Sequence, residues 1–373
     1  MAEDNSGVVW ILGAGFSKAL GGPLIEDLLA FRDLPVLQTL FSPDKYAGAA
    51  EEQFKARLFY KYGRDRRYWD HAEQFLDLVE TADTETGSTS SHGRSLLQSM
   101  LTDVVRYPET QTIEERAISG ERRLVERPGP THNFRTIAEL AAASRRALAV
   151  DCSLFLRSAQ LKTERWSPYV DWARSLNPNH TVVTFNYDYV PELLASIKDA
   201  RLKVITPTTE IKRDIHHARE AQLAPVLKVH GSVTWVRNGE AIRAMNLGEA
   251  EMGDPLVDVA IGVPGPKKNS LIRDKVLGLM WQSMLGALAT AREVIFVGYR
   301  FPPTDADARK DLAAALGSNP NRATGLGVST VLGPRIDSDD SVRLREILRY
   351  ARIVPNKINQ IPLYAEDFLA LQG

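Results

Sequence analysis

The chain has a single cysteine, Cys152, among its 373 residues. No disulfide can close within it, and no cysteine-based zinc module can be built from it. Excess charge is also missing: 46 basic and 47 acidic side chains leave a formal net charge of -1. That balance gives no general pull on nucleic acid or on an anionic membrane, so direct nucleic-acid binding is not expected. The small basic cluster Arg64, Arg66 and Arg67 has Asp65 inside it and reads as a solvated helix face. No apolar run approaches the roughly 18 residues of a membrane span. The N-terminal MAEDNSGVVW has no basic region ahead of an apolar one. These absences predict a protein of the reducing cytoplasm without a membrane anchor. What is present is an ordinary globular balance of 44% hydrophobic and 25% charged residues, enough for a sizeable core in one large domain or two.

Val8-Val9-Trp10-Ile11-Leu12 is a short, β-branched apolar run ending at Gly13, and helical spacing follows from Ser17. Strand, glycine turn and helix form the opening unit of a nucleotide-binding α/β fold, a Rossmann-like parallel sheet. From about residue 31 to 178 the texture changes. Apolar residues recur at three and four, as in Phe54, Leu58 and Tyr62, or Leu96, Leu97, Met100 and Leu101. This predicts a mostly helical insertion over 31–178 between two parts, 1–30 and 179–373, of the α/β domain. Within it the small polar stretch 81–93 reads as a loop. Strand signals return at Thr181–Phe185, Val226–Val229, Glu293–Val297 and Val328–Leu332, then a helix at Asp340–Tyr350 followed by Arg352-Ile353-Val354.

Polar residues collect where these strands end. Gly13-Ala14-Gly15-Phe16-Ser17 follows the first; two glycines let a backbone approach a pyrophosphate whose charge the helix start favours. The plainer reading is a strand–helix turn whose small residues serve packing. The third glycine of a full dinucleotide fingerprint is Lys18 here, and Asp33, twenty residues on, follows a helical stretch instead of a strand. Thr184-Phe185-Asn186-Tyr187-Asp188 ends the second; Asn186 can donate and accept at once, while Asp188 is as well placed to cap a helix starting near Pro191. His230-Gly231-Ser232 supplies the side chain best suited to proton transfer near neutral pH, although a lone strand-end histidine is more often structural. Gly298-Tyr299 follows Glu293–Val297, and Thr304 with Asp307 has the spacing of a helix cap. The pair His216-His217 has no metal-binding spacing. In a parallel sheet all four strand ends lie on one edge and converge on one pocket.

GAGFS, TFNYD, VHGS and VGYRFPPTD, in this order and each after a strand, resemble the bacterial sirtuin-like NAD-binding domains. The match covers about residues 7–30 and 178–310. The resemblance implies that Gly13, Ala14, Gly15, Phe16 and Ser17 hold the diphosphate of NAD, and that Asn186 positions a water or ribose hydroxyls. It implies that His230 is the general base, with Thr184, Asp188, Ser232, Gly298 and Tyr299 lining the nucleotide pocket. Two departures narrow it. Deacylating sirtuins carry four zinc cysteines, which this chain cannot supply. Their GIPDFR segment is replaced by Gly21-Gly22-Pro23-Leu24-Ile25-Glu26, with Arg32 the next arginine.

What remains is similar to the NAD-degrading members of bacterial antiphage defence. That implies an NAD glycohydrolase releasing nicotinamide and ADP-ribose, metal-free, homo-oligomeric, and triggered by a partner such as a HerA-type ATPase or an Argonaute-like protein. A non-catalytic sensor of NAD or an ADP-ribose derivative, and an ADP-ribosyltransferase, stay open as alternatives.

Overall fold

A computed structural model of the chain describes residues 7–41, 48–84, 92–102, 105–106, 110–116, 122–128, 131–132, 134–157, 159–238, 241–245, 259–262, 275–300, 306–323 and 325–372. The chain divides into two compact units: Met1–Leu28 with Leu148–Gly373, and Leu29–Ala147. Residues 148–178, expected in the insertion, therefore belong with the α/β unit.

Strand β1 (Val8–Leu12) opens the chain. The unit Leu29–Ala147 follows, with helices Leu34–Gln38, Ala49–Asp65, Ala72–Thr84 and His92–Thr102. Its core holds Leu37, Phe54 and Leu58, and Trp69 and Phe75 meet at 4.8 Å between ring centroids. It is not wholly helical, however. β2 (Val105–Arg106) pairs with β5 (Thr131–His132), and β3 (Thr110–Arg116) pairs antiparallel with β4 (Arg122–Pro128). Across that ribbon the register sets Ile113 opposite Val125 and Glu115 opposite Arg123. Of the stretch 81–93, residues 81–84 end one helix and 92–93 begin the next; the rest lies outside the described residues.

The α/β unit is built on β1 together with β6 (Thr181–Thr184), β7 (Leu202–Val204) and β8 (Ala224–Lys228). A smaller antiparallel sheet follows, of β9 (Gly231–Asn238), β10 (Ala241–Ala244) and β11 (Val259–Ile261). β12 (Glu293–Val297), β13 (Gly327–Val331) and β14 (Ile358–Ile361) complete the set. The main sheet is seven-stranded and wholly parallel, in the order β14-β13-β12-β1-β6-β8-β7. This is the expected Rossmann-like α/β architecture. Arg352-Ile353-Val354 is not a strand: Arg352 takes a φ of 62°, the chain turns, and pairing resumes only at Ile358. Thr304 and the Asp307 side chain lie outside the described residues, next to the helix Ala306–Ser318.

β1 shows why the sheet sits where it does. Its side chains alternate between faces. Val9 and Ile11 join a core with Val183, Leu227, Met280 and Phe296, while Trp10 packs edge-on against Trp172 and beside Phe368. Both faces are covered, so the run is apolar throughout, as a central parallel strand requires. The chain leaves β1 first for β6 on one side and returns later to β12 on the other. Such a reversal of direction opens a crevice at the carboxyl ends of the two strands, where ligands of α/β sheets bind.

Candidate functional site

The parallel register sets the four motifs side by side. Leu12 lies opposite both Thr184 and Val297, and Thr184 opposite Lys228. Each strand's pairing continues one residue further: Phe185 N–H donates to Leu12 O at 3.0 Å, Gly13 N–H to Val297 O at 3.0 Å, and Val229 N–H to Thr184 O at 3.2 Å. Beyond that residue the strands diverge, and Gly13, Asn186, His230 and Gly298 begin their loops on one edge.

The glycine turn is first of all a packing device. Gly298 has φ 66°, and a Cβ there would lie 2.3 Å from Phe16 N and 2.5 Å from Gly15 Cα. A Cβ on Gly13 would lie 2.5 Å from Tyr299 Cα. The loops after β1 and β12 thus touch backbone to backbone, and only glycine permits it. Gly15 N–H donates to Gly298 O at 3.0 Å and Phe16 N–H to Gly13 O at 2.8 Å. Three amides of Gly13–Ser17 are therefore already satisfied within the protein. Phe16 points into the core, edge-on to Tyr169 and Trp172 at 5.2 and 5.4 Å, and Tyr169 Oη donates to its carbonyl at 2.8 Å. Gly231 (φ 83°) likewise makes room for protein backbone: a Cβ would lie 2.1 Å from Ala260 O.

Asn186 stands over this turn. Its backbone N–H is held by Thr184 Oγ1 at 3.0 Å, which occupies Thr184 within its own loop. Its Nδ2 donates to Gly13 O at 2.9 Å and reaches Ser17 Oγ at 3.3 Å. Both amide hydrogens are thereby used, and the oxygen Oδ1 is what the side chain has left to offer. A group meeting Asn186 must bring a donor, as a hydroxyl or a water does.

Ser17 Oγ in turn donates to Asp188 Oδ2 at 2.8 Å, and Asp188 Oδ1 accepts from Val190 N–H at 3.1 Å, holding the start of the helix Val190–Ala195. Asp188 is engaged on both oxygens inside the protein, ahead of the helix whose N-cap is Tyr189. Burial pushes its carboxyl above the ordinary value of 3.8, against the opposing pull of Lys228 and the Ser17 and Val190 hydrogen bonds. The sign of its effect follows. The folded protein keeps a proton that the unfolded chain has released, so this group's contribution is full below pH 3.8 and is lost as pH rises through the folded pKa. Asp188→Asn lacks this titration. The stability of the wild type relative to Asp188→Asn is therefore expected to fall across that window and level off above it. Urea midpoints between about pH 4 and 8 measure it, and a relative stability that grows with pH contradicts the raised carboxyl.

His230 is held as a plate. Trp281 lies parallel to it (8°) at 6.2 Å between centroids, Tyr187 is stacked at 6.2 Å, and Phe185 meets it edge-on at 4.8 Å. The neighbours are fixed too: Trp281 Nε1 donates to Asp311 at 2.9 Å, and Tyr187 Oη to Gly262 O at 2.5 Å. Tyr299 stacks on Phe185 at 4.2 Å and is buried. Ser232 faces away from any ligand, since its Oγ binds Glu192 Oε1 at 3.0 Å and Thr234 Oγ1 at 2.8 Å.

The structure thus gathers all twelve expected residues at one sheet edge but divides their work. Asn186 and His230 are the pair with chemistry to offer. Gly13 and Gly298 make the close approach of the two loops, and Ala14, Gly15, Phe16 and Ser17 lie in the short helix Ala14–Lys18. Thr184, Ser17, Asp188 and Ser232 brace the loops. Trp281, Lys228 and Glu192 escaped the sequence reading. Lys228 had a signal, a charge inside the apolar run Val226–Val229; Trp281 had none. Cys152 is buried, and burial pushes its thiol well up, away from the thiolate form. Among the described residues no cluster suits a metal ion, and no helix is long and apolar enough to cross a membrane. No protein-family model matches the chain, and no curated protein matches it significantly.

Proposed function

We propose that this protein is an NAD glycohydrolase, converting NAD and water to nicotinamide, ADP-ribose and a proton. The observation that carries the reading is Asn186, whose amide hydrogens are spent on Gly13 O and Ser17 Oγ so that Oδ1 is left to accept, just past the strand that pairs with the one preceding stacked His230. Nicotinamide leaves as its bond to the ribose carbon breaks, and positive charge develops on the ribose. Asn186 Oδ1 orients the attacking water, or the ribose hydroxyl that fixes the sugar. His230 takes the proton the water loses as the new bond to carbon forms. The resemblance of GAGFS, TFNYD and VHGS supports NAD as the substrate and extends the reading to an NAD-depleting antiphage effector. In that reading the enzyme is held latent until it self-associates or meets a partner, a HerA-type ATPase or an Argonaute-like protein.

The test is nicotinamide release from NAD, followed by chromatography at several protein concentrations. Equal amounts of nicotinamide and free ADP-ribose are expected. ADP-ribose appearing on protein instead makes the enzyme a transferase. Tight binding with no turnover at any concentration makes it a sensor, and either result removes the hydrolase reading.

A further inference from the structure

Behind the two candidate groups lies a buried ion pair that the proposed chemistry does not use. Lys228 has no exposed surface. Its Nζ donates to Glu192 Oε1 at 2.9 Å and Oε2 at 3.1 Å, and to the carbonyl oxygen of Asp188. Glu192 Oε1 also accepts from Ser232 Oγ and Thr234 Oγ1, each at 3.0 Å. Every anchor of this pair sits close to a candidate group in the chain. Asp188 is two residues after Asn186. Lys228 is two before His230, and Ser232 two after it.

As a source of stability such a pair is a poor choice. Two desolvated charges are often no better than two apolar side chains of the same volume. What an apolar pair cannot supply is direction. The three donors of the ammonium meet three acceptors, and the same carboxylate oxygen gathers donors from either side of Gly231, where φ is 83° and the chain changes course. The loop that carries Asn186 is thereby tied to the segment that carries His230, through one ammonium and one carboxylate.

We infer that Lys228 and Glu192 are positioning residues that set Asn186 and His230 relative to each other. What the positioned pair then does rests on the NAD-cleaving reading.

The test compares Lys228→Met/Glu192→Leu, which replaces the ion pair by an apolar one, with Glu192→Gln, which keeps volume and an acceptor oxygen for Ser232 and Thr234. Three quantities are read: thermal midpoint, kcat and KM for NAD, and the imidazole nitrogen and proton NMR signals of His230 in the free protein. The last are assigned among the 7 histidines by their loss in His230→Ala. The double variant is expected to melt close to the wild type, to lose about 100-fold in kcat with KM little changed, and to show displaced His230 signals. Glu192→Gln is expected to recover about tenfold of that loss, because half of the anchoring remains. A double variant with wild-type kcat and unmoved His230 signals overturns the inference, since the pair is then merely structural. If the double variant does not fold, Glu192→Gln decides alone by the same two readings. If the wild type does not cleave NAD, the functional reading fails, but the His230 signals, recorded without NAD, still decide the positioning role: displaced signals uphold it and unmoved ones overturn it.

Discussion

Replacing His230 with alanine is expected to lower the turnover of NAD by about 10²–10⁴-fold, the range typical of losing a positioned general base. KM is expected to change little, because in the proposed reaction the base acts on the water and contributes to the transition state more than to ground-state binding. The substitution also opens a void between Trp281, Tyr187 and Phe185, so the protein must be shown to stay folded before the loss is assigned to chemistry. His230→Gln keeps most of the volume and a hydrogen-bonding end but has no titration near neutral pH. It is expected to be as inactive as the alanine variant while melting closer to the wild type. Asn186→Ala removes the acceptor Oδ1 and the Nδ2 donor, leaving Gly13 O only the Phe16 N–H and Ser17 Oγ without this donor. It should cost turnover by about 10²-fold and stability by about 1–3 kcal/mol. Turnover that survives both His230→Ala and Asn186→Ala sinks the mechanism.

Gly298→Ala is expected to be strongly destabilising, by about 2–4 kcal/mol. Two costs add. An L side chain at φ 66° is strained, and its Cβ would lie 2.3 Å from Phe16 N and 2.4 Å from Gly15 C, atoms of backbone that cannot rotate away. Relief requires the loops after β1 and β12 to separate, breaking the Gly15 N–H bond to Gly298 O. Gly286→Ala is the control. That glycine lies in the helix Leu277–Thr290 with nothing within 4 Å of the added carbon, so alanine there should be neutral or slightly stabilising. Denaturant midpoints of the two variants separate them, and equal midpoints would mean that the close approach of the two loops carries no energetic weight.

What could be read from the sequence follows from burial. β1, β6, β8, β12 and β13 are covered on both faces, so their apolar, β-branched runs announce them. β7 has three residues and β14 carries Asn359 and Gln360 in its middle; both are sheet edges, where solvent relaxes the pattern. The ribbon of β3 and β4 was hidden because its strands are charged. The register sets Glu115 opposite Arg123 and Gln111 opposite Arg127, a relation no single-strand periodicity displays. Asn186 and His230 were legible as candidates, each a polar residue just past a buried apolar strand. Their supports were not. Glu192 looks like any helix acid until Lys228, Ser232 and Thr234 are seen around it, and Trp281 sits on an apolar helix whose sequence does not mark its inner face. The motif glycines were read as places for a ligand to approach, yet in the structure what approaches them is the protein's own backbone.

The central position of β1 has a kinetic side. Val9 pairs with Thr181, and Val8 with Glu293, so β1 meets β6 only after the whole of Leu29–Ala147 has been made, and β12 later still. Contacts of such long separation close slowly, because the entropy of a very large loop is lost before the pairing gives anything back. Meanwhile Val8–Leu12 waits as an exposed apolar segment with both edges open, the kind of surface that recruits chaperones or aggregates. The helices of Leu29–Ala147, whose contacts are mostly local, are synthesised during that wait. Yield of folded protein should therefore depend on translation rate and chaperone supply more steeply than equilibrium stability alone would suggest.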